Sequence, residues 1–244
     1  FREFDLSSVE YIIWSGAAAP EPLLEVLATF DATLATSYGM TETVGSVTYT
    51  DLDAGFEVLA NTIGKPDPRY EVKVMRPDGT ESEVGEEGEI WVRGDCRMLG
   101  YFNREDATKE TIDPDGWLHT GDLAFMRPDG NLTLVGRLSE MYKSGGYNVY
   151  PREVEMVLED HEALVLAAVV GVPDPLYREV GFAFVQAQPG ASVDLDGLRA
   201  YCRTRLANYK VPKHFEVIEE MPFLPVGKID KLRLAEMARD RVAE

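Results

Sequence analysis

Cysteine is scarce in this 244-residue chain, which carries two, Cys96 and Cys202, far apart in sequence. A framework of disulfides is not available to it, and neither thiol stands at metal-ligand spacing to His119, His161 or His214. Two ordinary reduced thiols are the better reading. Long apolar runs are missing too: none approaches the roughly 20 residues that cross a bilayer. The opening Phe1-Arg2-Glu3 is not a charged and apolar leader, so neither a span nor a signal peptide is expected, and the expected compartment is cytoplasmic. Basic residues are in short supply, leaving a formal net charge of −19 that argues against general affinity for nucleic-acid backbone or an anionic membrane surface. Two catalytic signatures are also absent. No Gly-x-Ser-x-Gly elbow occurs, and Gly227-Lys228 has Pro222 and Ile229 where a Walker loop needs Gly and Ser or Thr.

What is present is enough for a real core, with 45% hydrophobic residues and a length that allows one or two domains. The acid is uneven: residues 1–138 carry 26 acidic against 11 basic side chains, and residues 139–244 carry 17 against 13. Arg203, Arg205, Lys210 and Lys213 in the less acidic part either meet a polyanionic cofactor or are solvated surface charges.

The pattern of residues predicts a strand from Val9 to Trp14, a small-residue loop from Ser15 to Pro20, a helix from Glu21 to Phe30 and a strand from Thr33 to Ser37. In an open α/β sheet, ligands gather at such strand ends. Further strands are expected at Glu71–Met75, Glu89–Arg93 and Leu132–Val135, with a short helix at Arg104–Thr111. Pro-Asp-Gly recurs at Pro77–Gly79, Pro114–Gly116 and Pro128–Gly130, each explained by turn chemistry. Asp113–Gly116 resembles the start of a calcium loop, but the later ligands are not there. After Arg137 the pattern is helix from Pro151 to Glu159, strands at Leu164–Gly171 and Val180–Gln188, helix from Leu195 to Leu206, strand at Phe215–Ile218 and a last helix from Lys231. That is a compact α+β unit, which puts a domain boundary in Gly136–Ser139.

Four strings could carry chemistry, and each has a plain structural explanation beside it. The small residues of Ser15–Pro20 let backbone approach a flat ligand, or make a tight turn. Tyr38-Gly39-Met40-Thr41-Glu42 sets an aromatic face, a hydroxyl and a carboxylate close together, suited to a base, a phosphate oxygen and Mg²⁺; it also fits a strand end with Thr41 or Thr43 as a helix cap. Asp122, behind Gly121, could accept from two ribose hydroxyls or sit in a turn, and His119 beside it reads as an orienting or packing side chain. Gly227-Lys228 alone is a turn with a solvated charge.

Taken in order, YGMTE, GWLHTGD, GRLSEMYKSGGYNVYPREVE and PFLPVGKIDK resemble the adenylate-forming superfamily, and within it the AMP-forming acyl-CoA synthetases and fatty-acid–CoA ligases. The resemblance covers nearly the whole chain. It implies an α/β and α+β fold, with residues 1–138 as the end of a large AMP-binding domain, made of α/β sheet strands plus a β-rich subdomain, and residues 139–244 as a small mobile α+β lid. It implies that Gly16, Ala17, Ala18, Tyr38, Gly39 and Met40 shape the nucleotide pocket, that Thr41 contacts phosphate, that Glu42 holds Mg²⁺, and that Asp122 and Arg137 hold the ribose. Lys228 resembles the family's catalytic lysine, and Ser139 stands at the hinge, where Asp or Lys is usual. Lys143, Ser144, Gly145 and Gly146 resemble the pantetheine channel, or form a plain glycine hairpin.

The implied activity is ATP-dependent activation of a small carboxylic acid, a fatty acid in the first reading, through an acyl-adenylate and on to CoA, with ATP, Mg²⁺ and CoA required. Alternatives are an aryl or other carboxylate–CoA ligase, an adenylation domain serving a carrier protein, and a non-catalytic nucleotide-binding module. Only 16 residues follow Lys228, and Tyr209–Lys213 resembles the ligase version of its segment, both of which speak against a fused carrier. Val226 replaces a small polar residue of the family pattern. The family's Ser/Thr/Gly-rich phosphate loop has no counterpart here, so the expectation is a C-terminal half that is inactive alone.

Overall fold

The computed structural model describes residues 4–16, 19, 21–95, 97–225 and 227–243. The chain forms two compact units, Phe1–Val135 and Gly136–Glu244.

The first unit opens with β1 (Tyr11–Ser15), α1 (Glu21–Leu27) and β2 (Thr33–Met40). β1 and β2 pair in parallel, Tyr11 opposite Thr33 through Ser15 opposite Ser37, and α1 makes the crossover that parallel strands require. β3 (Gly45–Tyr49) returns antiparallel along β2, α2 (Phe56–Asn61) follows, and β4 (Lys65–Pro66) closes the sheet in the order β1-β2-β3-β4. β2 runs three residues past the predicted end at Ser37 because its pairing with β3 carries it on to Met40.

A second sheet takes β5 (Glu71–Met75), β6 (Gly88–Arg93), β7 (Leu118–Met126) and β8 (Leu132–Arg137) in that order, with α3 (Glu105–Thr111) between β6 and β7. The three Pro-Asp-Gly strings are tight turns: Gly79, Gly116 and Gly130 have φ of 82°, 84° and 83°, and each donates its N–H to the carbonyl three residues back. Inward side chains of both sheets, including Val47, Val74, Ile90, Val92, Ala124 and Leu132, form one core.

The second unit contains the hairpin β9 (Tyr142–Ser144) and β10 (Tyr147–Val149), then α4 (Pro151–Glu159), β11 (Leu164–Asp174), β12 (Arg178–Ala187), α5 (Leu195–Arg203), β13 (His214–Val217) and α6 (Lys231–Ala243). The sheet order is β10-β9-β12-β11, with β13 pairing in parallel along Phe182–Val185 of β12. A continuous apolar run signals a strand covered on both faces, and β11 is such a strand. Its Ala167 and Val169 pack with Val154 and Leu158 of α4 and Leu198 and Cys202 of α5, whereas Ala168, Val170 and Val172 pack with Leu234 and Ala238 of α6. Burying each Val or Leu contributes about 1.5–3 kcal/mol. Among the described residues no helix is long and apolar enough to cross a membrane.

Candidate active site

The first cluster forms where β2 ends. Tyr38 is buried in the core and its hydroxyl donates to Asp122 Oδ2 at 2.6 Å. Two strings 84 residues apart are thereby joined. Asp122 is buried on β7, and its N–H donates to Thr120 Oγ1 at 3.1 Å. Gly121 (φ 71°) donates its N–H to Glu89 Oε1 at 2.8 Å, and Glu89 Oε2 accepts from Trp91 Nε1 at 2.8 Å. The string Leu118–Asp122 is therefore sheet, with the Gly121 N–H held by Glu89 of the neighbouring strand. His119 stacks on Trp91 with ring centroids 3.9 Å apart and lies 3.7 Å from both Glu89 and Asp113, the packing environment of an orienting side chain.

Past Tyr38 the chain makes a tight turn. A Cβ on Gly39 would stand 2.1 Å from the Gly45 carbonyl oxygen, so no other residue fits there. Thr41–Thr43 form one turn of 3-10 helix, ended by Val44 at φ 60°. Thr43 is the capping threonine: its Oγ1 accepts from the Met40 N–H at 2.9 Å and reaches the Gly45 carbonyl at 2.6 Å. Thr41 is exposed. Glu42 is half-buried; its Oε1 accepts from the Tyr101 hydroxyl at 2.8 Å, and its carbonyl from the Met98 N–H at 2.7 Å. Gly16 has φ 85° with open space where a Cβ would stand. Ala17 and Ala18 lie outside the described residues, as do Val226 and Cys96.

The donor set suits Mg²⁺ brought in with a polyphosphate. Mg²⁺ is usually held by one or two carboxylates together with substrate phosphates. Glu42 offers one carboxylate, and among the described residues no group of three or more His, Cys, Asp or Glu gathers into a dedicated metal cage. A carboxylate offers about four acceptor sites, and the Tyr38 hydroxyl takes one of those of Asp122.

The other predicted residues belong to the second unit. Arg137 ends β8, exposed, and its carbonyl accepts from the Met141 N–H at 3.2 Å. Ser139 is exposed in a single 3-10 turn, Leu138–Glu140. Lys143 and Ser144 end β9, and Gly145 (φ 58°) and Gly146 (φ 91°) turn the chain into β10. That hairpin is pinned from outside, because the Gly145 N–H donates to the Tyr177 carbonyl at 2.9 Å and the Lys143 N–H to Glu179 Oε2 at 3.0 Å. Lys228 is exposed on a turn closed by the Phe223–Ile229 bridge, the Leu224 N–H to Lys228 carbonyl bond at 2.7 Å and the Gly227 N–H to Leu224 carbonyl bond at 2.9 Å. Of the cations offered for a polyanion, Lys210 is paired with Glu153 at 2.6 Å, Lys213 with Asp174, and Arg205 lies 3.6 Å over the Tyr201 ring.

Sequence reasoning missed Tyr101, the Glu89–Trp91 support and the partners of Lys231. None has a local signal, since each acts through contact with a residue remote in sequence.

Comparison with known proteins gives the family. The model of the AMP-binding enzymes matches residues 1–102, and that of the AMP-binding enzyme C-terminal domain matches residues 153–228. The chain is 41% identical over 237 residues to a 3-((3aS,4S,7aS)-7a-methyl-1,5-dioxo-octahydro-1H-inden-4-yl)propanoyl:CoA ligase of Rhodococcus jostii, covering 96% of this chain and 44% of that protein. It is 39% identical over 243 residues to a long-chain-fatty-acid–CoA ligase of Salmonella typhimurium, covering 99% and 43%. The solved amide bond synthetase McbA from Marinactinospora thermotolerans superposes with a TM-score of 0.88 at 34% identity, covering 97% of this chain and 49% of that one. The fold and the matched models together define an AMP-binding enzyme of the adenylate-forming superfamily. The two curated relatives named above are CoA ligases, and the chain spans just under half the length of the curated relatives it matches.

Proposed function

We propose that the protein containing this chain is an ATP-dependent acyl-CoA ligase acting in the cytoplasm on a hydrophobic carboxylic acid, a fatty acid first among them. The observation that supports this reading is the Tyr38–Asp122 hydrogen bond, which joins the Tyr38–Glu42 and Trp117–Asp122 strings, with an exposed Thr41 and a Glu42 bonded by Tyr101. In this reading Gly16, Ala17, Ala18, Tyr38, Gly39 and Met40 shape the nucleotide pocket, and Asp122 and Arg137 hold the ribose hydroxyls. Thr41 donates to phosphate, and Glu42 holds Mg²⁺. Bound Mg²⁺ supplies positive charge to the polyphosphate.

In the first half-reaction a carboxylate oxygen of the acid attacks the α-phosphorus and the bond to the β-phosphate oxygen breaks, so that pyrophosphate leaves. Lys228 sets its ammonium beside the two anionic reactants and lowers their repulsion. A preorganised donor of this kind is worth about 3 kcal/mol or more, two to three orders of magnitude in rate. In the second half-reaction the CoA thiolate attacks the acyl carbon and AMP leaves. Residues 139–244 act as a mobile lid pivoting at Ser139, which withdraws Lys228 and brings Lys143–Gly146 to the pantetheine arm, where glycines let backbone approach a narrow chain.

A second reading, transfer of the acyl group to an amine, is favoured by the close superposition on an amide bond synthetase. One experiment separates the two: AMP release by the full-length protein with ATP, Mg²⁺ and acids from acetate through palmitate to benzoate, with CoA or with a primary amine. Acid-dependent AMP accelerated by CoA supports the ligase, and acceleration by the amine alone supports the amide synthetase. No acid-dependent AMP from folded full-length protein overturns both and leaves a nucleotide-binding module.

A further inference from the structure

Lys231 is a half-buried cation for which the chemistry above has no use. It opens α6 three residues after Lys228, and its side chain is 23% exposed. Its ammonium stands 2.8 Å from Glu155 Oε1 and bonds Glu140 Oε2. Glu155, almost fully buried on α4, also accepts the Val169 N–H of β11 at 2.9 Å. Arg152 lies 3.8 Å from Glu155 and bonds Glu159 at 2.9 Å, completing a partly buried network of two cations and three carboxylates. Burial opposes the charge on Lys231, but Glu155 and Glu140 outweigh it and raise its pKa.

Each anchor of Lys231 belongs to a different part of the unit. Glu140 is the last residue of the Leu138–Glu140 turn that contains Ser139, while Glu155 ties α4 to β11. At its own end, Lys231 directly follows the hydrogen bonds that close the Lys228 turn, namely the Phe223–Ile229 bridge and the Asp230 N–H to Pro222 carbonyl bond at 2.8 Å. A buried ion pair gives little net stability over well-packed apolar groups, so its use points to specificity of arrangement.

We propose that Lys231 is a positioning residue: its ammonium fastens the turn that carries Lys228 to the turn that carries Ser139, so that backbone rotation at Ser139 reaches Lys228 without slack. The proposal rests on the roles given above to Lys228 and Ser139. A lysine turn cut loose from the hinge turn would present its ammonium imprecisely, and reacting groups displaced by an ångström lose about a hundredfold in rate.

The test uses the full-length protein with Lys231→Met, Lys231→Arg and Glu140→Gln, and Lys228→Ala as a control. It measures acid-dependent ATP–pyrophosphate exchange, thioester formation from supplied acyl-adenylate, and amide hydrogen exchange at Leu224 and Asp230. Lys231→Met is expected to lower kcat for adenylation by about ten- to a hundredfold at unchanged KM for ATP, to leave the thioester step near wild type, and to speed exchange at both amides. Lys231→Arg restores adenylation in part. Should Lys231→Met fail to fold, Glu140→Gln, on a partly exposed side chain, shows the same split in milder form. Equal losses in both half-reactions, or unaltered adenylation, or unaltered amide exchange, overturn the proposal. If Lys228→Ala abolishes adenylation while Lys231→Met does not, this inference alone fails. If wild-type protein shows no acid-dependent exchange, the reading of Lys228 fails, and the amide measurements still decide whether Lys231 anchors the turn.

Discussion

At the scale of single residues, Tyr38, Glu42 and Thr43 each have a defined hydrogen-bond partner. Lys228 is exposed, on a turn closed by backbone bonds. Lys228→Ala is expected to slow adenylate formation by about two to three orders of magnitude while sparing thioester formation from supplied acyl-adenylate; equal losses in the two assays would remove it from the role. Tyr101 is the residue that local sequence could not disclose. Its hydroxyl meets Glu42 across 59 residues and leaves the carboxylate oriented. Removing one such bond costs roughly 0.5–1.5 kcal/mol. Tyr101→Phe should therefore raise the Mg²⁺ concentration for half-maximal adenylation by roughly three- to tenfold with kcat little changed at saturation. An unaltered Mg²⁺ titration would show that Glu42 is oriented by its backbone alone.

At the scale of elements, the turn between β2 and β3 decides where Thr41 and Glu42 point. Close approach of Gly39 to Gly45 leaves no room for a side chain, and the clash would be with backbone, which cannot swing aside. Gly39→Ala is expected to cost about 1–3 kcal/mol as overpacking, lowering Tm by roughly 3–10 °C in a protein of this size. A thermal melt that matches wild type would mean the hairpin re-forms around a Cβ. The apolar run of β11 and the three Pro-Asp-Gly turns were legible in the sequence, because burial on both faces and positive φ leave local signatures. β3 and β7 were not legible. Gly45–Tyr49 is small and polar, and the Leu118–Asp122 string alternates only once it is paired with β6.

At the scale of the whole molecule, acid stability is set by carboxylates held ionised in the fold. Asp174 is lowered to about 2 by its hydrogen bond from Lys213, helped by the backbone N–H groups of Tyr177 and Leu176. Asp67 is lowered to about 2 by Arg69, through its guanidinium and its N–H. A depressed folded-state pKa gives stability that is complete above the unfolded value of about 3.9 and disappears as pH falls through the folded value. The Tm difference between wild type and Asp174→Asn should therefore be constant from about pH 5 upward and shrink between about pH 4 and pH 2. A difference that does not change with pH would show that the ion pair with Lys213 contributes nothing through its charge.

The sequence by itself determined the family, the mixed α/β composition and the strands covered on both faces, because motif order, turn residues and hydrophobic period are properties of neighbouring residues. Only the tertiary structure decided which threonine caps the Met40 turn, that Tyr38 reaches Asp122, that Tyr101 holds Glu42, and that Lys231 joins Glu140 to Glu155. Those contacts span 84, 59 and 91 residues for Tyr38–Asp122, Tyr101–Glu42 and Lys231–Glu140. They exist because strand register and packing bring remote side chains within hydrogen-bond distance, and no local backbone preference encodes that.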